Sequence, residues 1–491
     1  MAISSYGRAM AWHADRDPER VAIVHEGERI RTGELERRSN RLARDYAARG
    51  VRAGDLVTLG LPNGIEFFVA CLATWKLGAT PQPISARLPA IERRAILALA
   101  QPALALGVDP EDCPGRPALP AGHAPDATLS DAPLPDVVPQ HVRCMTSGGS
   151  TGRPKLILEL TPALCDPERP ENGMEPGGTT LVPGPLYHAG PFITSWQTLL
   201  AGRRLVVTTR FDALRCLELI EEHRVDWALF VPTMMQRIWR LPEAVRERFD
   251  LSSLRRVMCT GAPSPAWLKR AWIEWLGPEK IWEAYGGSER IAGTLISGSE
   301  WLAHPGSVGR PSGGRKIRIL DAEGRECAPG EIGLVYMMPA QGRGTTYRYI
   351  GAEPTATPDG WETLGDLGHF DADGYLTLVE RQSDMVVVGG SNVYPAEVEA
   401  ALDAHPRVRS SAVIGLPDDD LGQRLHAIYE AESEIDPAEL RDHLAKHLAS
   451  HKVPTSFECV AQPLRDDAGK LRRSALREAR LEGVRAPARE G

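Results

Sequence analysis

The tightest constraint on the fold is a repeated exchange between two hydrophobic periods. Short apolar runs that suit strands alternate with longer runs whose apolar residues return every three to four positions, as on a helix face. Val21–His25 reads as a strand and Glu28–Arg31 as its hairpin return across Glu26-Gly27. Residues 32–49 then read as a helix rich in Leu, Ala and Arg, 55–61 as a strand, Ile65–Lys76 as an apolar helix and 80–84 as the next strand. Strand, helix, strand at this spacing calls for a parallel sheet, because parallel neighbours need a crossover long enough to hold a helix.

A second series follows from Gly177 to Ala303. It reads as strand Thr179–Val182, helix 193–200, strand 204–208, helix 213–222, strand 227–231, helix 233–240 and strand Arg256–Thr260, a second α/β unit. Between the two series, residues 101–140 are crowded with Pro and Asp and read as a long surface connection. From Gly306 to Leu378 the pattern changes to short β-rich runs such as 316–321 and Gly333–Met338, expected to form a small antiparallel sheet. Beyond Asp384 come helix 395–404, strands 411–415 and 425–431, helix 437–448 and the basic segment 471–480, enough for a separate small α+β domain. The expected fold class is therefore α/β. A large N-terminal domain, 1–383, holds two α/β subdomains and a β-rich one, and a C-terminal domain, 384–491, completes the chain.

Composition narrows the partners. A net charge of −8 with no long run of like charge argues against nucleic acid as the main partner. The cysteines at 71, 113, 144, 165, 216, 259, 327 and 459 show no CxxC pair and no regular spacing, so they are expected to be reduced, without a zinc site. Met1 to Asp15 lacks a basic start followed by an apolar core, and no stretch reaches the ~20 apolar residues that cross a bilayer. A cytoplasmic enzyme without a membrane span is expected.

The densest chemical signal is Thr146-Ser147-Gly148-Gly149-Ser150-Thr151-Gly152-Arg153-Pro154-Lys155. Its glycines let the backbone approach a ligand, hydroxyls and amide N–H groups can converge on phosphate oxygens, and the lysine adds charge. It differs from the P-loop of ordinary NTPases, which needs Gly-Lys-Ser/Thr opening a helix; here Arg153-Pro154 intervene and 156–160 reads as strand. Other segments are weaker alone. Tyr285-Gly286-Gly287-Ser288-Glu289 could be a structural turn. Gly365-Asp366 and Glu380-Arg381 offer a carboxylate for ribose hydroxyls and a guanidinium for phosphate, yet each could be a surface turn. Gly389-Gly390 forms a glycine hairpin before a helix, and Lys470 stands in a polar loop where a lone lysine is usually just solvated.

In order and separation these segments resemble the adenylate-forming superfamily of acyl-CoA synthetases, luciferases and adenylation domains, from about Tyr6 to Arg477. The resemblance implies roles residue by residue. Thr146–Lys155 is similar to the family's phosphate-binding signature, and Pro185-Leu186-Tyr187-His188 to its aromatic motif, with His188 beside the acyl pocket. Gly261-Ala262-Pro263 resembles the segment lining the acyl and adenine sites. Glu283, Ala284, Tyr285 and Gly286 fall on the adenine motif, where Ser288 meets the α-phosphate and Glu289 serves Mg²⁺. Asp366 matches the ribose aspartate, Arg381 the arginine on ribose and phosphate, Asp384 the hinge between domains, Gly389-Gly390 the loop beside the thiol tunnel and Lys470 the catalytic lysine. Gly148, Ser288, Leu364 and Glu380 depart from the commoner residues without removing a charged catalytic group.

What the resemblance implies is a two-step acid–thiol ligase using ATP, Mg²⁺ and coenzyme A. A carboxylate attacks the α-phosphate with loss of pyrophosphate, then a thiol displaces AMP after the C-terminal domain turns about Asp384. With no carrier domain after Lys470, the acceptor is expected in trans: free coenzyme A, or else a separate carrier protein. A monomer or homodimer is expected. The uncharged run Gly190–Trp196, where amino-acid-activating relatives carry an aspartate, points away from α-amino acids. His188, Phe192, Trp196, Val231, Met234, Met235, Gly261, Ala262, Ala284, Gly286 and Ala292 are the expected pocket lining, suited to a bulky hydrophobic acid. The run from Trp275-Leu276-Gly277-Pro278 to Trp282-Glu283-Ala284-Tyr285, with Glu300-Trp301-Leu302-Ala303-His304-Pro305, gives the chain a further likeness to ligases for bile acids, steroids and polycyclic terpenoids. A catalytically silent adenylate-binding relative, or a luciferase-like oxygenase, is the other class the same fold allows.

Overall fold

The structure is a computed structural model that describes residues 3–147, 154–169, 173–418, 420–466 and 469–485. Its widest sheet begins as a parallel array. Val21–His25, Arg204–Val207, Thr179–Val182, Trp227–Phe230, Arg256–Thr260 and Ile281–Gly286 lie side by side, joined by helical crossovers such as Ala213–His223 and Ala266–Leu276. Strands buried on both faces explain the near-continuous apolar runs that marked them in the sequence.

Two expectations about sheet membership change. The hairpin Val21–Arg31 joins this second array, pairing Leu205 with Ile23, and not the sheet of the first α/β series. The β-rich segment does not form a sheet of its own either. Gly293–Ser297 pairs antiparallel with Ile281–Gly286, and Ser307–Pro311, Leu376–Arg381, Glu362–Phe370, Gly333–Met338 and Lys316–Leu320 continue the same hydrogen-bonded surface. An edge left at Ile281–Gly286 would bare a row of ladder groups, and the chain reverses at 287–292 to cover it.

The first series builds a smaller parallel sheet in the order Thr80–Pro83, Leu56–Leu59, Leu104–Leu106, Ala118–Leu119. Residues 101–140 are thus only partly a surface connection. Leu104, Ala105 and Leu106 are buried strand residues, while 129–132 is tied to helix Thr32–Ala48 by Asn40, Arg41 and Arg44. Helix Ile65–Lys76 is buried at every position but Glu66, in the largest core, which draws residues from both parallel sheets. That burial on all sides accounts for its lack of a polar face.

A third sheet is antiparallel, with Lys155–Glu159 between Cys144–Ser147 and Tyr347–Ile350. Beyond it in sequence, Ser410–Asp418, Gly422–Glu430 and Ser456–Val460 form a sheet flanked by helices Pro395–Asp403, Pro437–Ala445 and Arg473–Arg485. Val398, Leu402, Val413 and Leu440 give this small α+β unit a core of its own beside the large N-terminal body. Among the described residues no helix is long and apolar enough to cross a membrane, and no disulfide is formed.

Candidate active site

The candidate site forms where the parallel strands end. Strand Ile281–Gly286 delivers Tyr285 to the rim, and the turn after it, closed by Arg290 N–H donating to Gly287 O at 3.1 Å, presents Ser288 and the buried Glu289. Strand Glu362–Phe370 brings Asp366, which lies opposite Arg381 in the antiparallel register. Tyr285 Oη donates to Asp366 Oδ2 at 2.7 Å, and Arg381 Nε donates to Oδ1 at 3.2 Å. Burial and the Asp366 charge push the Tyr285 phenol well above its ordinary value, so it stays a donor.

Glu289 is fixed from the third sheet. Tyr349 Oη donates to Glu289 Oε1 at 2.7 Å, and the Lys155 ammonium lies 3.8 Å from the centroid of the same tyrosine ring. Burial lowers the Lys155 pKa, with Glu289 opposing and Arg381 assisting, so these three charges sense one another. Lys155 is register partner to Ser147, which places the two ends of the Gly-rich segment together. Gly148, Gly149, Ser150, Thr151 and Gly152 lie outside the described residues, as does the Ser147 side chain. Thr146 Oγ1 is buried without a hydrogen-bond partner at the approach to that segment.

Lys470 reaches this cluster from the small domain. A tight loop carries it: Lys470 N–H donates to Asp466 Oδ1 at 2.9 Å and Gly469 N–H to Asp466 O at 2.9 Å. Gly469, buried at φ +74°, rests on Thr233 and Val231 of the large domain. The Lys470 residue is itself solvent-exposed at the mouth of the cleft. Crowding by protein and the Arg381 charge still lower its pKa, while Asp466 and Glu289 oppose. His188, the residue before helix Ala189–Leu200, is pushed down to about 3 by burial and then by the Lys470 charge, so it is neutral. Its Nε2 is buried without a hydrogen-bond partner.

Several expected site residues lie elsewhere. Glu283 turns away from the cleft and forms a buried pair with Lys269 of helix Ala266–Leu276, at 2.6 Å; alternation along the strand sends it to the helical layer. Phe192 and Trp196 are 1% and 2% exposed, packed edge-on against Trp75 in the main core, and Met235 and Ala292 are likewise core residues. Phe192 and Trp196 lie on the side of helix Ala189–Leu200 that fills the core. Gly261, at φ +89°, Ala262 and Pro263 form the lip beside Val231, and Ala284 and Gly286 stand on the strand end. Gly389 and Gly390 occupy an exposed hairpin tip, φ +54° and +81°, where Gly389 N–H donates to Leu421 O at 3.0 Å within the small domain.

The structure adds residues that no motif marked. Arg143 and Glu159 form a buried pair with Nε and Oε2 2.9 Å apart, and Arg290 donates to Glu159 Oε1 at 2.7 Å. Arg143 also donates to Ala189 O at 3.3 Å, so Glu159 ties the helix behind His188 to the residue after Glu289. Arg290 holds a left-handed φ of +54°, uncommon for a residue other than glycine. Near Asp384, Arg473 donates to Asp384 Oδ2 at 2.7 Å and to Glu399 Oε2 at 2.7 Å. An acid closing an apolar strand, as Glu159 does, is the one sequence sign that could have pointed to such a network.

Comparison with known proteins agrees with this architecture. The family described as AMP-binding enzyme matches residues 10–347, and the AMP-binding enzyme C-terminal domain matches 397–470. A feruloyl-CoA synthase of Amycolatopsis is 33% identical over 483 residues, covering 94% of this chain and 96% of its own. A fatty acid–[acyl-carrier-protein] ligase of Streptomyces coeruleorubidus is 29% identical, covering 95% of each chain. Among solved structures, o-succinylbenzoate coenzyme A synthetase from Bacillus subtilis with ATP and magnesium ion superposes with a TM-score of 0.81 at 25% identity. That match covers 97% of this chain and 100% of the other.

Proposed function

Because the chain belongs to the AMP-binding enzyme family, an acid–thiol ligase working with ATP, Mg²⁺ and coenzyme A, we propose that it activates a hydrophobic carboxylic acid as an acyl adenylate and passes the acyl group to coenzyme A. The observation that carries this reading is the convergence of Lys470, Glu289, Asp366 and Arg381 from separate segments onto one cleft. Strand pairing brings Asp366 and Arg381 together, while Glu289 and Lys470 come from a turn and from the small domain. Their common use is to receive a nucleotide.

In this reading Asp366, already oriented by Tyr285 and Arg381, accepts the ribose hydroxyls. Lys470 bridges the acid's carboxylate and the α-phosphate, where charge accumulates as pyrophosphate leaves. Ser288 supplies a hydroxyl beside it. Bound Mg²⁺ would neutralise charge on the phosphate oxygens. Glu289 suits that ion: Mg²⁺ takes one or two carboxylates and completes its shell with phosphates and water, and among the described residues no cluster of three or more His, Cys, Asp and Glu competes for it. Domains 1–383 and 384–491 meet at Asp384, the hinge about which the small domain turns for the second step, carrying Gly389-Gly390 toward the thiol. Cysteines of which none forms a disulfide among the described residues favour the cytoplasm as the place of action.

For the acid, the burial of Phe192, Trp196 and Met235 leaves small residues at the strand ends: Val231, Gly261, Ala284 and Gly286, beside neutral His188. A slot of that kind fits a planar aryl acid, in keeping with the feruloyl-CoA synthase relative. A polycyclic terpenoid or steroid acid is the bulkier alternative. Its sequence support weakens because Trp275 and Trp301 are occupied in packing, against Trp272 and the Lys269 side chain. A carrier protein as acceptor is the second reading, favoured by the Streptomyces coeruleorubidus relative.

The test is acid-dependent ATP–pyrophosphate exchange over aryl, fatty, diterpenoid and steroid acids, with Lys470→Ala as control, followed by coenzyme A. Exchange lost in the control and thioester formed on adding coenzyme A support the reading. Exchange without thioester transfers it to a carrier protein, and absence of exchange with every acid rejects it.

A further inference from the structure

We propose that Tyr349 is a positioning residue that holds the Mg²⁺ carboxylate Glu289 and the phosphate lysine Lys155 in one fixed relation, an inference that rests on the role proposed above for Glu289 and on the phosphate role that the Thr146–Lys155 segment implies for Lys155. Tyr349 belongs to strand Tyr347–Ile350, far in sequence from either motif. The strand pairs antiparallel with Lys155–Glu159, with Tyr349 opposite Ile157, so the tyrosine sits two residues across from the lysine. From there its two chemical ends serve different partners. The hydroxyl donates to Glu289 Oε1 at 2.7 Å, and the ring face lies 3.8 Å from the Lys155 Nζ.

Each contact has a directional consequence. A hydrogen bond to one carboxylate oxygen fixes the carboxyl plane and orients the other oxygen, Oε2. A Cβ added at Gly287 would come within 2.7 Å of Oε2, so the absence of a side chain there keeps that oxygen uncovered. A ring face attracts an ammonium and holds it without removing its three donors, which remain for phosphate oxygens. Burial and the Glu289 charge raise the Tyr349 pKa, which keeps the hydroxyl a donor. The tyrosine is braced in turn: Tyr347 meets its ring edge-on at 4.8 Å, and Tyr347 Oη donates to Glu362 Oε2 at 2.6 Å. One residue thereby sets the distance between a carboxylate meant for a cation and a cation meant for phosphate.

The two ends can be separated experimentally. Tyr349→Phe removes the hydroxyl and keeps the ring, whereas Tyr349→Leu removes both. Glu289→Gln and Lys155→Met serve as references in the same full-length protein, with the most active acid and folding checked by thermal melting. The readouts are the half-saturating Mg²⁺ concentration and the KM for pyrophosphate in ATP–pyrophosphate exchange. The expected result is that Tyr349→Phe raises the Mg²⁺ requirement about tenfold, the scale of one hydrogen bond to a charged group, and leaves the pyrophosphate KM within about twofold. Tyr349→Leu should raise both, as the sum of the two references does. A tyrosine that only supports the fold would lower melting temperature and kcat without this division. An unchanged Mg²⁺ requirement in Tyr349→Phe beside a raised one in Glu289→Gln overturns the proposal alone. An unchanged requirement in Glu289→Gln overturns the assignment of Glu289 and this proposal with it.

Discussion

Gly469 lies directly on Thr233, so that a methyl group added at the glycine would collide with the threonine hydroxyl. The contact joins the loop that carries Lys470 to the helix Pro232–Trp239 of the large domain, and it seats the lysine over the strand ends. Gly469→Ala should therefore lower ATP–pyrophosphate exchange by about tenfold or more, since it adds the clash to the ~1–2 kcal/mol strain of a left-handed Cβ. Hydrolysis of a chemically made acyl adenylate, which needs the large domain only to bind it, should change little. Adding Thr233→Ala should recover part of the loss, and a failure to do so would show that the contact is not what seats the loop.

Lys470 must be protonated to meet a carboxylate and a phosphate, and its pKa is lowered from the ordinary lysine value, first by loss of hydration among the protein groups crowded around it and then by Arg381. The lysine thus loses its proton at a lower pH than a free lysine does. The adenylation rate should fall on an alkaline limb below the usual lysine range. Lys470→Arg should lose about 10²–10³-fold in rate, and its residual activity should lack that limb because guanidinium stays charged. Rate–pH profiles of pyrophosphate exchange for both proteins check this.

Lys269 and Glu283 are 1% and 5% exposed and 2.6 Å apart. Lys269→Met leaves a buried carboxylate without its partner and should cost about 3–5 kcal/mol, read as a large drop in melting temperature. The double variant Lys269→Met/Glu283→Leu should recover most of that loss, because it removes both charges from an apolar layer. Recovery would show that the cost lies in the unpartnered buried charge and not in loss of the pair itself.

Asp403 stands in the small domain's core, accepting from Ser411 Oγ at 2.7 Å, with Arg465, Glu399 and Arg240 around it. Burial raises its pKa to about 7. The folded state therefore binds this proton more tightly than the unfolded chain, and its stability falls as pH rises from about 4 to 7, by at most about 4 kcal/mol. Asp403→Asn should abolish that part of the slope. Melting curves of both proteins across this range should diverge as pH rises, with the asparagine variant the more stable near pH 8.

The sequence alone determined the parts that depend on local rules. Period and turn chemistry marked the parallel strands and most of their crossovers, because a strand buried on both faces must be apolar throughout. The order of the motifs determined the family, because a nucleotide imposes the same residue types at the same points of the chain. Asp366 and Arg381 are legible for that reason, and they meet as antiparallel register partners.

Only the tertiary structure decided which side of an element each residue serves. Glu283 and Ala284 are neighbours in one motif, yet alternation along the strand commits Glu283 to Lys269 and the helical layer. Phe192 and Trp196 follow His188 on helix Ala189–Leu200, and both side chains are packed into the main core. The bond from Arg290 to Glu159 and the bond from Tyr349 to Glu289 join residues 131 and 60 positions apart. No local periodicity encodes such contacts; they exist because sheet pairing brings distant strands within one hydrogen bond of each other.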